Sequence, residues 1–307
     1  MIDVIVPVYG GLAQTRTCLE SVLAAPRSVP FELVVVEDAS PEPAIREFVA
    51  GLAREGRAHV VHHPSNQGFV RSVNEGMSIH RDRDVVLLNS DTEVANDWLF
   101  RLAAAASSAA RVATVTPFSN NATICSYPFW GWEGGLPGSL GLAALDTLAA
   151  KANAGVRIDL PTAVGFCMYI PRRALDALGA FDAERYGRGY GEENDFSMRA
   201  AKAGWRNLLA ADVFIFHEGS VSFSGDRHAL QEAAARNLIE AHPEYTAAVH
   251  QFLVADTVAP LREAIDRARL DSGAVEGHAV ISERSRERAR ILAEMREMQR
   301  RTAGSHS

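Results

Sequence analysis

Over the first 120 residues, short β-branched and aliphatic runs alternate with stretches of helical periodicity. The runs are 2–8 (IDVIVPV), 33–37 (LVVVE), 58–62 (AHVVH), 84–89 (DVVLLN) and 112–116 (VATVT). Several are continuously apolar, as strands buried on both faces of a parallel sheet are. Helical patterns fall near 12–25, 43–54, 68–80 and 96–110; in the third, Phe69, Val73 and Met77 form one apolar stripe. Strand–helix alternation predicts right-handed crossovers and a doubly wound sheet, which binds ligands beyond the C-terminal ends of its strands.

Residues 117–161 break this rhythm, being rich in Gly, Pro, Asn and aromatics (Tyr127, Phe129, Trp130, Trp132) before a helical pattern at 140–152. A strand (162–170), a short helix (171–179), a Gly-rich turn (187–191), a helix (192–204) and a strand (206–216) follow. From about 227 the pattern is helical to the end. Its last part, 282–301, is dense in Arg and Glu with a thin stripe of Ile291, Leu292, Met295 and Met298, the pattern of a solvated helix. The expected organisation is a domain over 1–226, with halves 1–116 and 117–226, and a C-terminal helical extension over 227–307.

Composition narrows the class. Of 307 residues, 47% are hydrophobic and 22% charged, a balance that supports a sizeable core. A net charge of −7 argues against a broad nucleic-acid surface. Cys18, Cys125 and Cys167 have neither finger nor disulfide-framework spacing, which favours a reducing compartment. The longest apolar tract, 99–118, is broken by Arg101 and Arg111, and no basic leader precedes the first strand. A cytoplasmic protein is expected, with peripheral membrane association left open.

Four polar clusters carry candidate chemistry. Glu37 and Asp38 end the second strand, where a carboxylate can accept hydrogen bonds from a base or ribose; capping of the next helix by Asp38 or Ser40 is an equal alternative. Asn89, Ser90 and Asp91 follow the fourth strand, and Asn89 and Asp91 can offer oxygen ligands to Mg2+ or Mn2+, or form an Asx turn. Glu192 and Glu193 follow a Gly-Tyr-Gly turn at a helix start, where the helix dipole favours acidic side chains. His217 closes an apolar strand, a position for either a core histidine or a third metal ligand.

In order along the chain stand VIVPVYGG, VVVEDAS, NQGFVRSVNEGM (66–77), VVLLNSDTEV (85–94), GFCMYIPRRAL (165–175), GYGEENDFSMRAAKAGW (189–205) and FIFHEGSVSF (214–223). This ordered set resembles the family 2 glycosyltransferases of GT-A fold, and especially their bacterial rhamnosyltransferase-like branch. The resemblance spans roughly residues 1–225. It implies a mostly parallel central sheet flanked by helices, and an enzyme that moves a sugar from a nucleotide diphosphate. By it, Pro7, Val8, Tyr9, Glu37, Asp38, Asn66, Gly68, Arg71, Asn89 and Ser90 lie around the nucleotide. Asn89 and Asp91 occupy the metal motif, His217 completes the metal site, and Glu193 matches the catalytic base with Glu192 beside it. Gly165, Phe166, Trp130 and Trp132 are acceptor-side candidates.

The first acid of the metal motif is here Asn89, which removes a negative charge. The Gln-x-x-Arg-Trp motif of processive synthases is absent, so one sugar per encounter is expected. The resemblance favours an inverting hexosyltransferase using dTDP-rhamnose or a UDP-sugar. The acceptor would be a glycan or lipid-linked saccharide, in cell-surface polysaccharide synthesis. Two alternatives stand beside it: a catalytically weak sugar-nucleotide-binding module of the same fold, and a nucleotidyltransferase. The latter is disfavoured because Tyr9-Gly10-Gly11-Leu12 lacks a phosphate-binding Lys.

Overall fold

The computed structural model describes residues 1–187, 189–219, 227–273, 277, 279–287 and 289. The strands are β1 (Ile2–Val8), β2 (Phe31–Glu37), β3 (His59–His62), β4 (Asp84–Leu88), β5 (Thr92–Glu93), β6 (Val112–Ser119), β7 (Arg157–Leu160), β8 (Cys167–Ile170) and β9 (Arg206–His217). The helices are α1 (Leu12–Ala24), α2 (Pro43–Arg54), α3 (Phe69–Ile79), α4 (Trp98–Ala106), α5 (Leu142–Ala152), α6 (Arg172–Leu178), α7 (Ala183–Tyr186), α8 (Glu192–Lys202), α9 (Arg227–Ala241), α10 (Tyr245–Ala255) and α11 (Ala259–Asp271).

The nine strands form one mixed sheet in the order β3-β2-β1-β4-β8-β6-β9-β5, with β7 also on β9. Its N-terminal half is parallel. Strand β8 then enters antiparallel to both β4 and β6, while β6 and β9 run parallel to one another. Because two reversals restore the original direction, β1, β2, β4, β6 and β9 all end at one rim, and β8 begins there. This topology brings chain segments from Tyr9 to His217 together.

Period-two alternation divides the core between the two faces. Val4, Val6, Val8, Leu33 and Val35 join α1, α2, α4 and α5 on one side. Ile5, Val34 and Val36 join α3, α6 and α8 on the other. The apolar stripe of α3 is real: Val73 and Met77 are buried, and Phe69 packs against them from a half-buried position. Expected helix 96–110 is shorter, ending where Ser107 caps α4. The expected strand 162–170 begins at Cys167, and β7 lies in a stretch whose composition suggested irregular backbone.

The C-terminal helices share this core. Val258 and Ile265 are fully buried in one cluster and Leu238 in the other. Helix α11 grips the loop after β6 through Arg262, which donates to the carbonyls of Ser126 (2.9 Å) and Ile124 (3.1 Å). Asp266 accepts from the Tyr127 hydroxyl at 2.7 Å. The charged stretch expected to be solvated is docked as far as it is described: Glu283 pairs with buried Arg269 at 2.7 Å, and Arg284 pairs with Asp266. Its stripe at 291–298 lies outside the described residues, as do 220–223 of the last motif. No helix among the described residues is long and apolar enough to cross a membrane.

Close packing of α3 on the sheet gives a stability prediction. A Cβ on Gly76 would lie 2.6 Å from Ile5 Cγ2. Gly76→Ala should therefore destabilise the protein by about 1–3 kcal/mol, despite alanine's better helix propensity. Urea denaturation checks it, and an unchanged or raised midpoint would show that Ile5 yields freely.

Candidate active site

Asp91 and His217 meet at the rim. Strand β5 runs antiparallel to the end of β9, pairing Thr92 with His217, and Glu218 N–H donates to the Asp91 carbonyl at 2.9 Å. This register leaves Asp91 Oδ1 3.4 Å from His217 Nε2, with both side chains largely buried. His217 Nδ1 lies 2.7 Å from the Asn121 carbonyl. A carbonyl only accepts, so Nδ1 carries the hydrogen and the lone pair of the neutral ring sits on Nε2. The backbone of His217 is clamped by Asn120, whose Oδ1 accepts from His217 N–H (2.8 Å) and whose Nδ2 donates to His217 O (2.9 Å). Phe166 stacks on the imidazole at 5.2 Å.

A nitrogen lone pair facing a carboxylate oxygen at 3.4 Å is repulsive unless a proton or cation lies between them. The separation is long for a charge-assisted hydrogen bond, which runs at about 2.7–2.9 Å. It suits two ligands of one divalent ion, and the carbonyl-fixed tautomer is the usual support of a metal-binding histidine. Asn89 is placed on the same loop. Its N–H donates to Phe166 O at 2.9 Å, and its carbonyl accepts from Thr92 Oγ1 (2.7 Å) and Cys18 Sγ (3.4 Å). The Asn89 side chain has no hydrogen-bond partner among the described residues. Ser90 is buried beside it. Another His-carboxylate cluster, Asp3, Glu32 and His80, lies at the opposite strand ends and is neutralised by Arg83, 2.9 Å from Asp3 and 2.6 Å from Glu32.

Glu192 and Glu193 open α8 behind Gly191, whose φ of 89° belongs to the left-handed region where glycine is at ease. Glu193 is half-buried and lies against Gly165, where an added Cβ would come within 3.5 Å of its Cγ. Gly165 adjoins Phe166, so an unbroken run of contacts joins Glu193 to His217 and Asp91. Burial raises the pKa of Glu193 above its ordinary 4.5, and bonds from backbone amides and Asn194 offset this only in part. Glu192 is 4% exposed, and its Oε2 has no hydrogen-bond partner. Burial, and then the charge of Glu193, push its pKa well above 4.5. Both carboxyls are thus pushed upward, Glu192 the more strongly of the two.

On the nucleotide side, the expected contacts divide. Glu37 is fully buried, bonded to Ser40 N–H (2.5 Å) and His62 (3.3 Å) and paired with Arg46 (3.2 Å). Its carboxylate fixes the β2–α2 turn. Asp38 is similarly engaged: Oδ1 accepts from His63 and Gln67 N–H, both at 2.7 Å, and Oδ2 from Gly68 N–H at 2.8 Å. It shapes the 66–71 loop. Val8 lies in the core, Pro7 and Asn66 are half-buried, and Tyr9 and Arg71 are exposed. The Arg71 side chain makes no hydrogen bond or ion pair with the described residues.

Among the aromatics, Tyr127 and Phe129 belong to the interior, while Trp130 and Trp132 are half-buried. The segment is joined to the His217 side of the rim: Asn120 Nδ2 donates to Gly134 O at 2.6 Å, and Asn121 bridges Glu133. Asn120 and Asn121 are the site residues that sequence reasoning missed; the Asn-Asn pair just past β6 was the available signal. Burial pushes the Cys18 and Cys125 thiols up to about 12 and raises Cys167 also, so none is a nucleophile.

Residues 3–179 match the family described as glycosyl transferase family 2. No curated protein matches the sequence. Among solved structures, that of GalNAc-T7 with UDP, GalNAc and Mn2+ superposes with a TM-score of 0.60 at 15% identity, over 92% of this chain and 57% of that one. This chain therefore spans little more than half of that relative's length. The mannosyltransferase PcManGT from Pyrobaculum calidifontis, in complex with GDP-Man and Mn2+, gives 0.55 at 18% identity, over 95% of this chain and 80% of that one. S. aureus TarS 1–349 in complex with UDP-GlcNAc gives 0.54 at 16%, over 82% and 71%. The likenesses show the fold, that of the GT-A glycosyltransferases.

The buried proton of Glu192 has a measurable consequence. A carboxyl whose pKa is raised on folding contributes most favourably at low pH. Above the ordinary carboxylate range the unfolded chain releases this proton and the folded chain keeps it, so stability falls as pH rises. Glu192→Gln should remove that loss, melting at a higher temperature than the wild type at pH 7–8 and converging with it below about pH 4. Melting curves across this range check it; a gap of opposite sign would mean that Glu192 is ionised in the folded protein.

Proposed function

Because the chain belongs to glycosyl transferase family 2, we propose that it moves one sugar from a nucleoside-diphosphate donor to a saccharide or lipid-linked saccharide, with inversion. The donor is dTDP-rhamnose or a UDP-sugar, and the enzyme is a hexosyltransferase of the rhamnosyltransferase-like branch. Its place is cell-surface polysaccharide synthesis on the cytoplasmic side. The observation that supports this best is the carbonyl-fixed His217, offering Nε2 toward Asp91 at 3.4 Å.

Asp91 and His217 would hold a divalent ion, Mg2+ or Mn2+, with Asn89 as a neutral third candidate. When bound, that ion supplies positive charge against the developing charge of the departing diphosphate. That the GalNAc-T7 structure holds UDP and Mn2+, and the PcManGT structure GDP-Man and Mn2+, supports this choice. Arg71, exposed and unpaired among the described residues, is available to the nucleotide from the α3 side.

Glu193 takes the proton of the acceptor hydroxyl. The acceptor oxygen forms its bond to the anomeric carbon as the bond from that carbon to the diphosphate oxygen breaks. The electron pair leaves with the nucleoside diphosphate, and the proton remains on Glu193. Burial makes Glu193 a stronger base than a solvated carboxylate, provided it is ionised. Trp130 and Trp132 offer apolar ring surface to a sugar on the acceptor side.

Glu193→Gln should lower kcat by about 10²–10⁴-fold and leave donor affinity within about twofold, measured by donor turnover and titration calorimetry. In the wild type, kcat should fall as pH drops through the raised pKa of Glu193, so the acid limb lies above pH 4.5. Full turnover by the variant would remove Glu193 as base. Donor identity is tested by thermal shift. UDP or dTDP should raise the melting temperature only with Mg2+ or Mn2+ present; a shift that persists in EDTA contradicts metal-dependent binding.

A further inference from the structure

His63 directly follows β3. Its N–H donates to the Glu37 carbonyl at 2.9 Å, which extends the β2–β3 pairing by one residue and brings the ring beside Asp38. The ring is buried between two carboxylates: Nδ1 lies 2.7 Å from Asp38 Oδ1, and Nε2 lies 2.8 Å from Glu75 Oε2 of α3. The His63 and Asp38 side chains are 6% and 5% exposed, whereas that of Glu75 is 49% exposed. Asp38 also accepts from the N–H groups of Gln67 and Gly68, the last two residues before α3. One imidazole therefore ties together the end of β2, the loop over 64–68 and the body of α3.

Asp38 takes a backbone N–H on each of its oxygens, so it stands here as an acceptor. A neutral imidazole carries one hydrogen and would turn a bare lone pair toward one of its two acids. Short contacts at both ring nitrogens are those of an imidazolium with a charge-assisted bond on each side. Burial works against that charge, but the bonds to Asp38 and Glu75 outweigh it and hold the pKa of His63 above its ordinary 6.5. The charge is thus favoured below pH 6.5 and lost as pH rises through the raised value. Asp38 faces the ring from the β2–α2 turn and Glu75 from α3. Around them stand His62 and Arg46, both paired with Glu37, and Arg71, one helical turn before Glu75.

Resting on the reading of residues 66–71 as part of the nucleotide pocket, we propose that His63 is a positioning residue for the donor: as an imidazolium between Asp38 and Glu75, it fixes the loop that presents Asn66, Gly68 and Arg71. A neutral ring holds one acid and repels the other, so the loop loses its tie either to Asp38 or to α3. Asp91, His217 and Glu193 make no bond to this bridge. Donor affinity therefore falls when the charge is lost, while turnover of bound donor is kept.

Titration calorimetry of the full chain with UDP and with dTDP, in Mg2+ from pH 7 to pH 9, tests this where the charge of the diphosphate itself is constant. Nitrogen-15 NMR of the histidine rings should show hydrogens on both nitrogens of His63 at pH 7, the signals being assigned by their loss in His63→Gln. Wild-type affinity should fall about tenfold as His63 gives up its proton, the effect of losing one bond to a charged group. Glu75→Gln supplies an NH2 that donates to the neutral ring at Nε2 while Nδ1–H stays on Asp38. It should abolish the alkaline loss and bind nucleotide more tightly than the wild type at pH 9. His63→Gln should bind about tenfold more weakly at pH 7, without a pH slope, and hold kcat at saturating donor within about twofold. A Glu75→Gln profile that matches the wild type overturns the proposal, as does a His63 ring with a single hydrogen at pH 7. Glu75 is half-exposed, so its variant decides the matter even where His63→Gln fails to fold. A wild type that binds neither nucleotide removes the nucleotide reading and this proposal with it. If the wild type binds and Glu75→Gln keeps its pH slope, the nucleotide reading stands and only the role of His63 falls.

Discussion

The His217 ring is held by contacts of three kinds, and the chemistry of the rim follows from them. The Asn121 carbonyl fixes its tautomer, Asn120 clamps its backbone, and Phe166 covers one face. With Nδ1 committed, Nε2 can only accept, and the register of β5 on β9 sets an Asp91 oxygen before it. Two acceptors at that separation in a largely buried setting repel one another unless positive charge lies between them. The supports come from β6, β8 and β9, so the site is a product of strand direction more than of any one loop.

A second constraint operates at α8. Placing adjacent glutamates in a poorly hydrated helix start means that both cannot ionise cheaply. Burial pushes both carboxyls upward, the enclosed Glu192 more strongly than the half-buried Glu193. The next two residues of the helix are held from opposite directions: Asn194 by Thr162 from the sheet side and by Tyr245 from the C-terminal helices, which also bring His242 to Asp195. Arg262, Asp266 and Arg269 likewise fasten the loop beside His217 to α11. Both halves of the rim are thus braced by the same C-terminal segment.

How far the sequence was legible depended on how local each cause is. β1, β2, β4 and β6 are strands buried on both faces, and their aliphatic runs announce them. β5 and β7, of two and four residues, have no such signal because their pairing is dictated by β9, more than 45 residues away in sequence. Asp91 and His217 were readable as strand-end polar residues, whereas Asn120 and Asn121 gain their role only from the register of β6 on β9. Glu37 and Asp38 were placed at the correct strand end, yet Arg46, His62 and His63 and the amides of Gln67 and Gly68 claim their oxygens. Those partners, up to 30 residues distant, cannot be inferred from the Glu-Asp pair itself.

Binding of Mn2+ in the presence of a nucleoside diphosphate, followed by electron paramagnetic resonance, tests the central claim most directly. The wild type should bind one ion per chain, and Asp91→Asn and His217→Gln should each weaken that binding at least about tenfold, the loss expected when one ligand of a small set is removed. Unchanged Mn2+ affinity in both variants would contradict a metal site between β4 and β9, and with it the account of how this rim works.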